Sequence, residues 1–168
     1  MIPVLAAVPA FALAASLAQN PAVDELRALA RGAPESVLIE RARKQPDDVG
    51  GALRELLVSA VAGDSAAVAA LTAAERLAGA FTVAWRDSFL LRQVGRFRSL
   101  SPADRRGTIE ADSVWRAGVR AFGQVGTDAA MLIWRESLRR FEALADTSGM
   151  ARALGALGIA FHRAQEYD

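Results

Sequence analysis

The feature that most constrains this chain is its punctuation. Signals that start and stop helices recur along it. Between them no segment alternates apolar and polar residues over a useful length, and no Asn-Gly or Asp-Gly hairpin turn occurs. Asn20-Pro21 sets an N-cap before a proline at the first helical position, which opens a helix that stops near Gly32. Pro34 and Pro46 bracket a second helix, with Val37, Leu38 and Ala42 on one face. Pro46-Asp47-Asp48 opens a third, with acidic side chains where the helix dipole favours them and Leu53, Leu56, Leu57 and Ala60 as its apolar stripe. Gly63-Asp64-Ser65 is a stop and a new cap. From Ser65 to about Leu100 there is no proline. Val68, Leu71, Ala74, Ala78, Phe81, Trp85 and Phe89 recur there at three and four, predicting one long helix that Gly79 or Gly95 would bend. Ser101-Pro102-Ala103-Asp104 is a strong start signal, with Asp104 reaching back to the cap. Gly126-Thr127-Asp128 and Asp146-Thr147-Ser148-Gly149 are two further breaks. Alanine supplies 37 residues against seven Phe and one Tyr, which favours helices packed closely through small side chains. The predicted fold class is all-α.

At 168 residues and 52% hydrophobic, the chain is long enough for one ordinary domain or two very small ones and apolar enough to bury a core. Twenty basic residues against 19 acidic ones leave a charge of +1, with no global pull toward nucleic acid or an anionic membrane. The basic residues are 19 Arg and the single Lys44, a bias we read as genome composition. The absence of cysteine excludes disulfides, thiolate nucleophiles and sulfur-ligated zinc, and one histidine, His162, excludes multi-histidine metal sites. No Walker loop, G-x-G-x-x-G, G-x-S-x-G or H-E-x-x-H motif occurs. Asp47-Asp48 serves a helix start better than acid–base chemistry. Arg92, Arg96, Arg98, Arg105 and Arg106, near Phe89 and Phe97, are the densest basic cluster. The aromatics there sit at core spacing and Asp87, Asp104 and Glu110 lie close by, so a solvated helix face is the better reading than a nucleic-acid patch. The expectation is a protein with no catalytic site, no cofactor and no metal.

Residues 4–18 carry no charge; the first charged side chain is Asp24. The run is broken by Pro9 and shorter than the roughly 20 residues a membrane-spanning helix needs. Ser16-Leu17-Ala18 offers small residues where a signal peptidase reads, with cleavage before Gln19, although no Lys or Arg precedes the apolar run. A signal peptide over 1–18 is the favoured reading, and a secreted or periplasmic location follows from it. An uncleaved N-terminal anchor and a buried helix are the alternatives. No cysteine follows for a lipoprotein anchor.

Two segments 39 residues apart share a pattern: Val114-Trp115-x2-Gly118-x3-Phe122 and Ala153-Leu154-x2-Leu157-x3-Phe161. Between them Ala130-x3-Trp134-x2-Ser137-Leu138 supplies a complementary stripe, small residues flanking a bulky one, that lets a second helix approach closely. Leu154-x2-Leu157-Gly158-x2-Phe161, the following Gln165-Glu166-Tyr167-Asp168, and Ala130-x3-Trp134-x2-Ser137 resemble the tetratricopeptide repeat (TPR) family. In that family's consensus, Trp-x2-Leu-Gly-x2-Tyr in the first helix is followed by Ala-x3-Phe in the second. The first copy departs, with Gly118-Val119 in place of Leu-Gly, and the family's closing proline is replaced by a connector from Leu144 to Met150. Residues 46–80 hold a weaker echo in Ala67-x3-Leu71-x2-Ala74.

The resemblance implies an α-solenoid of antiparallel helix hairpins over 101–168, preceded by a less regular helical region over 19–100. It also implies that the last repeat is truncated at Asp168, leaving Leu154, Leu157 and Phe161 half covered, and that the natural protein continues. In the family the concave groove is lined by the non-core face of each first helix, which here means Arg116, Arg120, Gln124, Arg152, His162 and Arg163. This basic row fits an acidic peptide or a C-terminal carboxylate as ligand. The expected function is a protein-interaction scaffold. The alternative is the sensor arm of a larger signalling protein or peptidase, since bacterial arrays of this kind are joined to peptidase, kinase or transcription-factor modules.

Overall fold

A computed structural model describes residues 20–61 and 65–165. The segment read as a signal peptide, the Gly63-Asp64 stop and the end of the Gln165-to-Asp168 turn lie outside the described residues. Among the described residues eight helices follow one another: α1 (Pro21–Gly32), α2 (Glu35–Lys44), α3 (Pro46–Ser59), α4 (Ser65–Trp85), α5 (Phe89–Ser99), α6 (Pro102–Gln124), α7 (Thr127–Ala143) and α8 (Thr147–Gln165). No strand occurs among the described residues, so the protein is all-α.

The local signals act as their chemistry dictates. The Asn20 side chain accepts from the Ala22 amide, and Ser101 Oγ accepts from the Asp104 amide at 3.1 Å while its hydroxyl donates to the Asp104 carboxylate at 2.7 Å. Gly126 links α6 to α7 at φ 137, a backbone region open to glycine. Asp146 Oδ1 accepts from the Gly149 amide at the start of α8.

The stretch from 65 to 100 differs from its prediction. It is two helices, and neither glycine causes the break. Arg86 turns into the left-handed region at φ 54, and the Asp87 carboxylate accepts from the Phe89 amide at 2.8 Å to start α5. The predicted stripe is buried only in its middle, where Ala74 and Ala78 are buried and Leu71 and Phe81 partly so; its two ends are exposed. Ala70, Ala73, Ala74, Leu77, Ala78 and Ala80 are buried, whereas Val68 is 70%, Trp85 47% and Phe89 43% exposed. Val37, expected on the inner face of α2, is likewise exposed, while Leu38 and Ala42 are buried. Where a helix is apolar nearly all round, periodicity does not say which stripe meets its neighbours; here four helices select the side with the smallest residues.

α4 is the centre of the first five helices: α1, α2, α3 and α5 all pack on it. Leu26, Leu38, Val49, Leu53, Leu56, Leu77 and Val94 meet around its alanines in one continuous core. By length and composition Ala66–Trp85 would also suffice to cross a membrane, and 33% of its most apolar stretch is buried among the other helices. Side chains from α4 satisfy the open carbonyls at the ends of its neighbours. Arg76 donates to Ala30 O at 2.8 Å and to Ala33 O, and Trp85 Nε1 donates to Ala42 O at 3.2 Å.

α6 and α7 run antiparallel: Ser137 Oγ donates to Ala111 O, Trp134 Nε1 donates to Trp115 O, and the Trp134 indole lies on Gly118. A Cβ at Gly118 would collide with that ring. α8 runs antiparallel to α7, with the Phe141 ring on Gly149 and Arg135 over Phe161. α8 therefore lies beside α6 and points the same way, joined to it by Asp112–Arg152 near one end and Phe122–Arg163 near the other. Of the predicted α8 stripe, Leu157 is buried, and Leu154 and Phe161 are about half exposed at 52% and 47%.

No helix of α1–α5 packs on α6–α8 as closely as neighbours do within either group. A small cluster joins them, in which Ile109 and Leu100 pack against Phe97, Ala60 and Ala70. Long polar side chains complete the junction. Arg105 donates to Phe97 O at 3.1 Å and to Arg98 O, and Arg96 donates to Leu144 O at 2.9 Å.

Candidate functional site

One buried carboxylate lies at the junction. Asp112 sits in the middle of α6 and is buried, at 8% exposure. Its Oδ2 accepts from Arg54 Nε on α3 at 2.6 Å and from Arg116 Nε one turn along α6 at 3.2 Å. Its Oδ1 accepts from Arg152 Nη1 on α8 at 2.9 Å. Three helices thus meet on two oxygen atoms. Burial by itself would push the Asp112 carboxyl up, but the hydrogen bond from Arg54 and the charge and hydrogen bond of Arg152 outweigh it and hold the group below its usual value. Burial, then the charge of Arg54, lowers the Arg116 guanidinium against the opposite pull of Asp112. It remains a cation at neutral pH. Arg54 also donates to Glu55 Oε1 at 2.7 Å.

Arg152 is fixed from two sides. While it donates to Asp112, its guanidinium lies 5.2 Å from the Trp115 ring centre and 5.5 Å from that of Phe141. Phe141 in turn lies against Gly149 of α8, and the Trp115 carbonyl accepts from Trp134 Nε1 of α7.

A cleft of about 480 Å³ opens beside the Asp112 cluster, between α3, α5, α6 and the start of α8. Leu53, Leu57, Leu90, Phe97 and Ile109 give it an apolar wall, with Phe89 on the same side. The lining also holds five guanidinium groups, Arg54, Arg92, Arg96, Arg116 and Arg152, against two carboxylates, Asp112 and Asp146. Arg96 approaches Asp146 at 3.5 Å. The cleft is a cationic concavity with an apolar lining, suited to an anion.

Of the six residues expected in a groove, the structure brings Arg116 and Arg152 together on Asp112 and places Arg163 over the Phe122 ring at 5.0 Å. Arg120 and Gln124 are exposed along the last two turns of α6, and His162 is exposed near the end of α8. Sequence reasoning missed Asp112, Arg54 and the role of Arg96. Asp112 and Arg116 are spaced for an i, i+4 ion pair, the one local signal available; Arg54 and Arg152 lie 58 and 40 residues away. The basic cluster noted between 92 and 106 is divided among tasks. Arg92 and Arg96 face the cleft, Arg98 pairs with Glu75, and Arg105 reaches the last carbonyls of α5. Among the described residues no three His, Asp or Glu side chains gather as a metal site requires. The chain matches no protein-family model, and neither a curated protein nor a solved structure is significantly similar to it.

Proposed function

We propose that this protein is a non-catalytic interaction module of tetratricopeptide type, binding a protein segment rich in carboxylates along α6 and α8. The observation that carries the reading is the relation of these two helices. They lie side by side, point the same way, share α7 as a packing partner and contribute Arg116, Arg120, Arg152 and Arg163. In this reading α6 and α7 are the two helices of one repeat, α8 opens the next, and a solenoid extends the same relation. Arginine suits the task because its planar fork pairs with a carboxylate through two parallel bonds. The exposed Leu154, Ile159 and Phe161 supply apolar contact next to the charges. With a leader over 1–18, the module works in the periplasm or outside the cell.

The test uses a short oligoglutamate peptide with a free C-terminal carboxylate, titrated calorimetrically against the whole chain. Binding is expected to weaken about tenfold, on the order of 1.4 kcal/mol, in Arg120→Glu/Arg163→Glu. It is expected to weaken further in Arg116→Glu/Arg120→Glu. Unchanged affinity in both variants, each with the helical signal of the parent, would overturn the reading.

A further inference from the structure

We propose that the cleft between α1–α5 and α6–α8 is a separate binding site for one small amphiphilic molecule, a carboxylate on a flexible apolar body. This goes beyond the interaction row on α6 and α8, with which the cleft shares Arg116 and Arg152, and it does not require that row to bind a peptide.

The size is right: at about 480 Å³ the cleft falls within the roughly 300–1,000 Å³ that small-molecule sites occupy. Its lining combines the two chemistries such a ligand requires. Leu57, Phe89, Leu90 and Ile109 offer surface to an alkyl or aryl body, and the arginines offer donors to a head group. Those donors are incompletely used. Arg116 donates through Nε alone and Arg152 through Nη1 alone, which leaves most of the five N–H donors of each to water or a ligand. The charge is also unbalanced. Three guanidinium groups share the Asp112 carboxylate, and counting Glu55 on Arg54 and Asp146 beside Arg96 still leaves the five arginines in excess. The excess guanidinium donors are shared with water at 34–40% exposure of the Arg96, Arg116 and Arg152 side chains, and a bound carboxylate would pair with them in its place. A fully polar anion would leave the apolar wall wet, and a neutral hydrocarbon would leave the arginines unpaired, so the class the cleft fits is the amphiphile.

The position adds a consequence. Leu53 and Arg54 belong to α3, Ile109 and Arg116 to α6, and Arg152 to α8, so a molecule seated there touches both helical groups. Binding is expected to raise the unfolding temperature of the whole chain, because the ligand binds only where both walls are present.

Decanoate is the probe, with decanol and acetate as controls. The expected result is saturable calorimetric binding of one decanoate per chain with a rise in unfolding temperature. Each control is expected to bind at least about tenfold more weakly. Gly50→Trp is the blocking variant. Gly50 lies on α3 at the cleft, a Cβ there meets nothing within 4 Å, and the new ring fills the space. Arg92→Glu is the charge variant; Arg92 is exposed and bonded only to Ser88 of its own helix, so its reversal spares the core. Both should abolish or strongly weaken decanoate binding with helical content unchanged. Both should leave oligoglutamate binding at the parent value, because neither residue is on α6 or α8. Equal binding of decanol, no saturable decanoate binding, or decanoate binding that survives Gly50→Trp would each overturn the proposal. Loss of oligoglutamate binding in Gly50→Trp would also overturn it, since the cleft would then belong to the peptide row. Failure of oligoglutamate to bind the parent chain sinks the interaction reading alone.

Discussion

In α1–α5 most of the buried surface is one continuous core of alanine, leucine and valine around α4, with a small cluster around Phe97 beside it. In α6–α8 it is divided into two small clusters, each organised on one aromatic ring, Trp134 in the first and Phe141 in the second. The difference lies in how closeness is reached. Alanines let α4 touch four neighbours at once, and no single contact there is irreplaceable in kind. In α6–α8 a ring lies flat on a glycine at each crossing, Trp134 on Gly118 and Phe141 on Gly149, and hydrogen bonds from Trp134 and Ser137 to α6 carbonyls fix the register. One region is redundant and the other is keyed. The keyed region is also the one whose polar face must hold several arginines in register, which fits the role proposed for it.

Substitutions at the keys should separate the two regions most sharply. Phe141→Ala removes a fully buried ring and should cost about 4 kcal/mol, with hydrogen exchange accelerated first in α6–α8. Gly118→Ala adds one methyl where the Trp134 ring lies and should cost about 3 kcal/mol in chemical unfolding. Gly79→Ala on α4 meets open space and should instead stabilise by about 0.7 kcal/mol through helix propensity. If Gly118→Ala proves as mild as Gly79→Ala, the contrast between the regions fails.

The junction should respond to charge. In Asp112→Asn the three arginines lose their shared anion, and a stability loss of about 3 kcal/mol is expected from equilibrium unfolding. The pH dependence has a definite sign. Because the folded-state pKa of Asp112 is lowered from 3.8, its contribution is complete above that value and is lost as the pH falls below it toward the folded pKa. Stability of the parent should therefore fall more steeply than that of Asp112→Asn on acidification below about pH 4, read as the midpoint of denaturant unfolding at each pH. A smaller effect concerns the end of α7. Asp146 N donates to Phe141 O and Ala145 N to Glu142 O around Ala145 at φ 49, a position glycine prefers. Ala145→Gly should stabilise by about 0.7 kcal/mol. Smallest of all is Glu136. Hydrogen bonds from Arg139 and then Arg140 hold its carboxyl at about 2, yet the cluster is exposed on α7, and Glu136→Gln should leave the unfolding temperature unchanged.

The all-α class, most helix ends and the close approach around Trp134 were legible because their causes are local, whereas the stretch from 65 to 100, read as one helix, is two. A cap, a proline at the first turn and a small–large–small spacing each act within a few residues, as Asn20, Ser101 and Ala130-x3-Trp134-x2-Ser137 do. The break at Arg86 to Ser88 was legible in principle, since Asp87-Ser88 is a capping pair, but aromatic residues on either side at helical spacing concealed it. The buried face of α4 was legible in its middle, at Ala74 and Ala78, and not at its ends or at Ala70, Ala73, Leu77 and Ala80, because four neighbours decide it. The candidate site was legible only in part. Arg116 and Arg152 were identified from the repeat register, whereas Asp112 and Arg54 acquire meaning only when helices distant in sequence are brought together. Arginine usage, read first as composition, turns out to close helix ends as well. Arg76, Arg96 and Arg105 each reach backbone carbonyls at or just beyond the end of another helix, a task its forked, multi-donor head performs better than lysine.

The most direct test of the account is hydrogen exchange followed peptide by peptide in the parent chain and in Asp112→Asn at neutral pH. Helices α1–α5 have their own core, whereas α6 and α8 share Asp112 as an anchor, so the account predicts exchange at least about tenfold faster in α6–α8 with protection retained in α1, α2 and α4. Unchanged protection in α6–α8, or an equal loss in both groups, would contradict it.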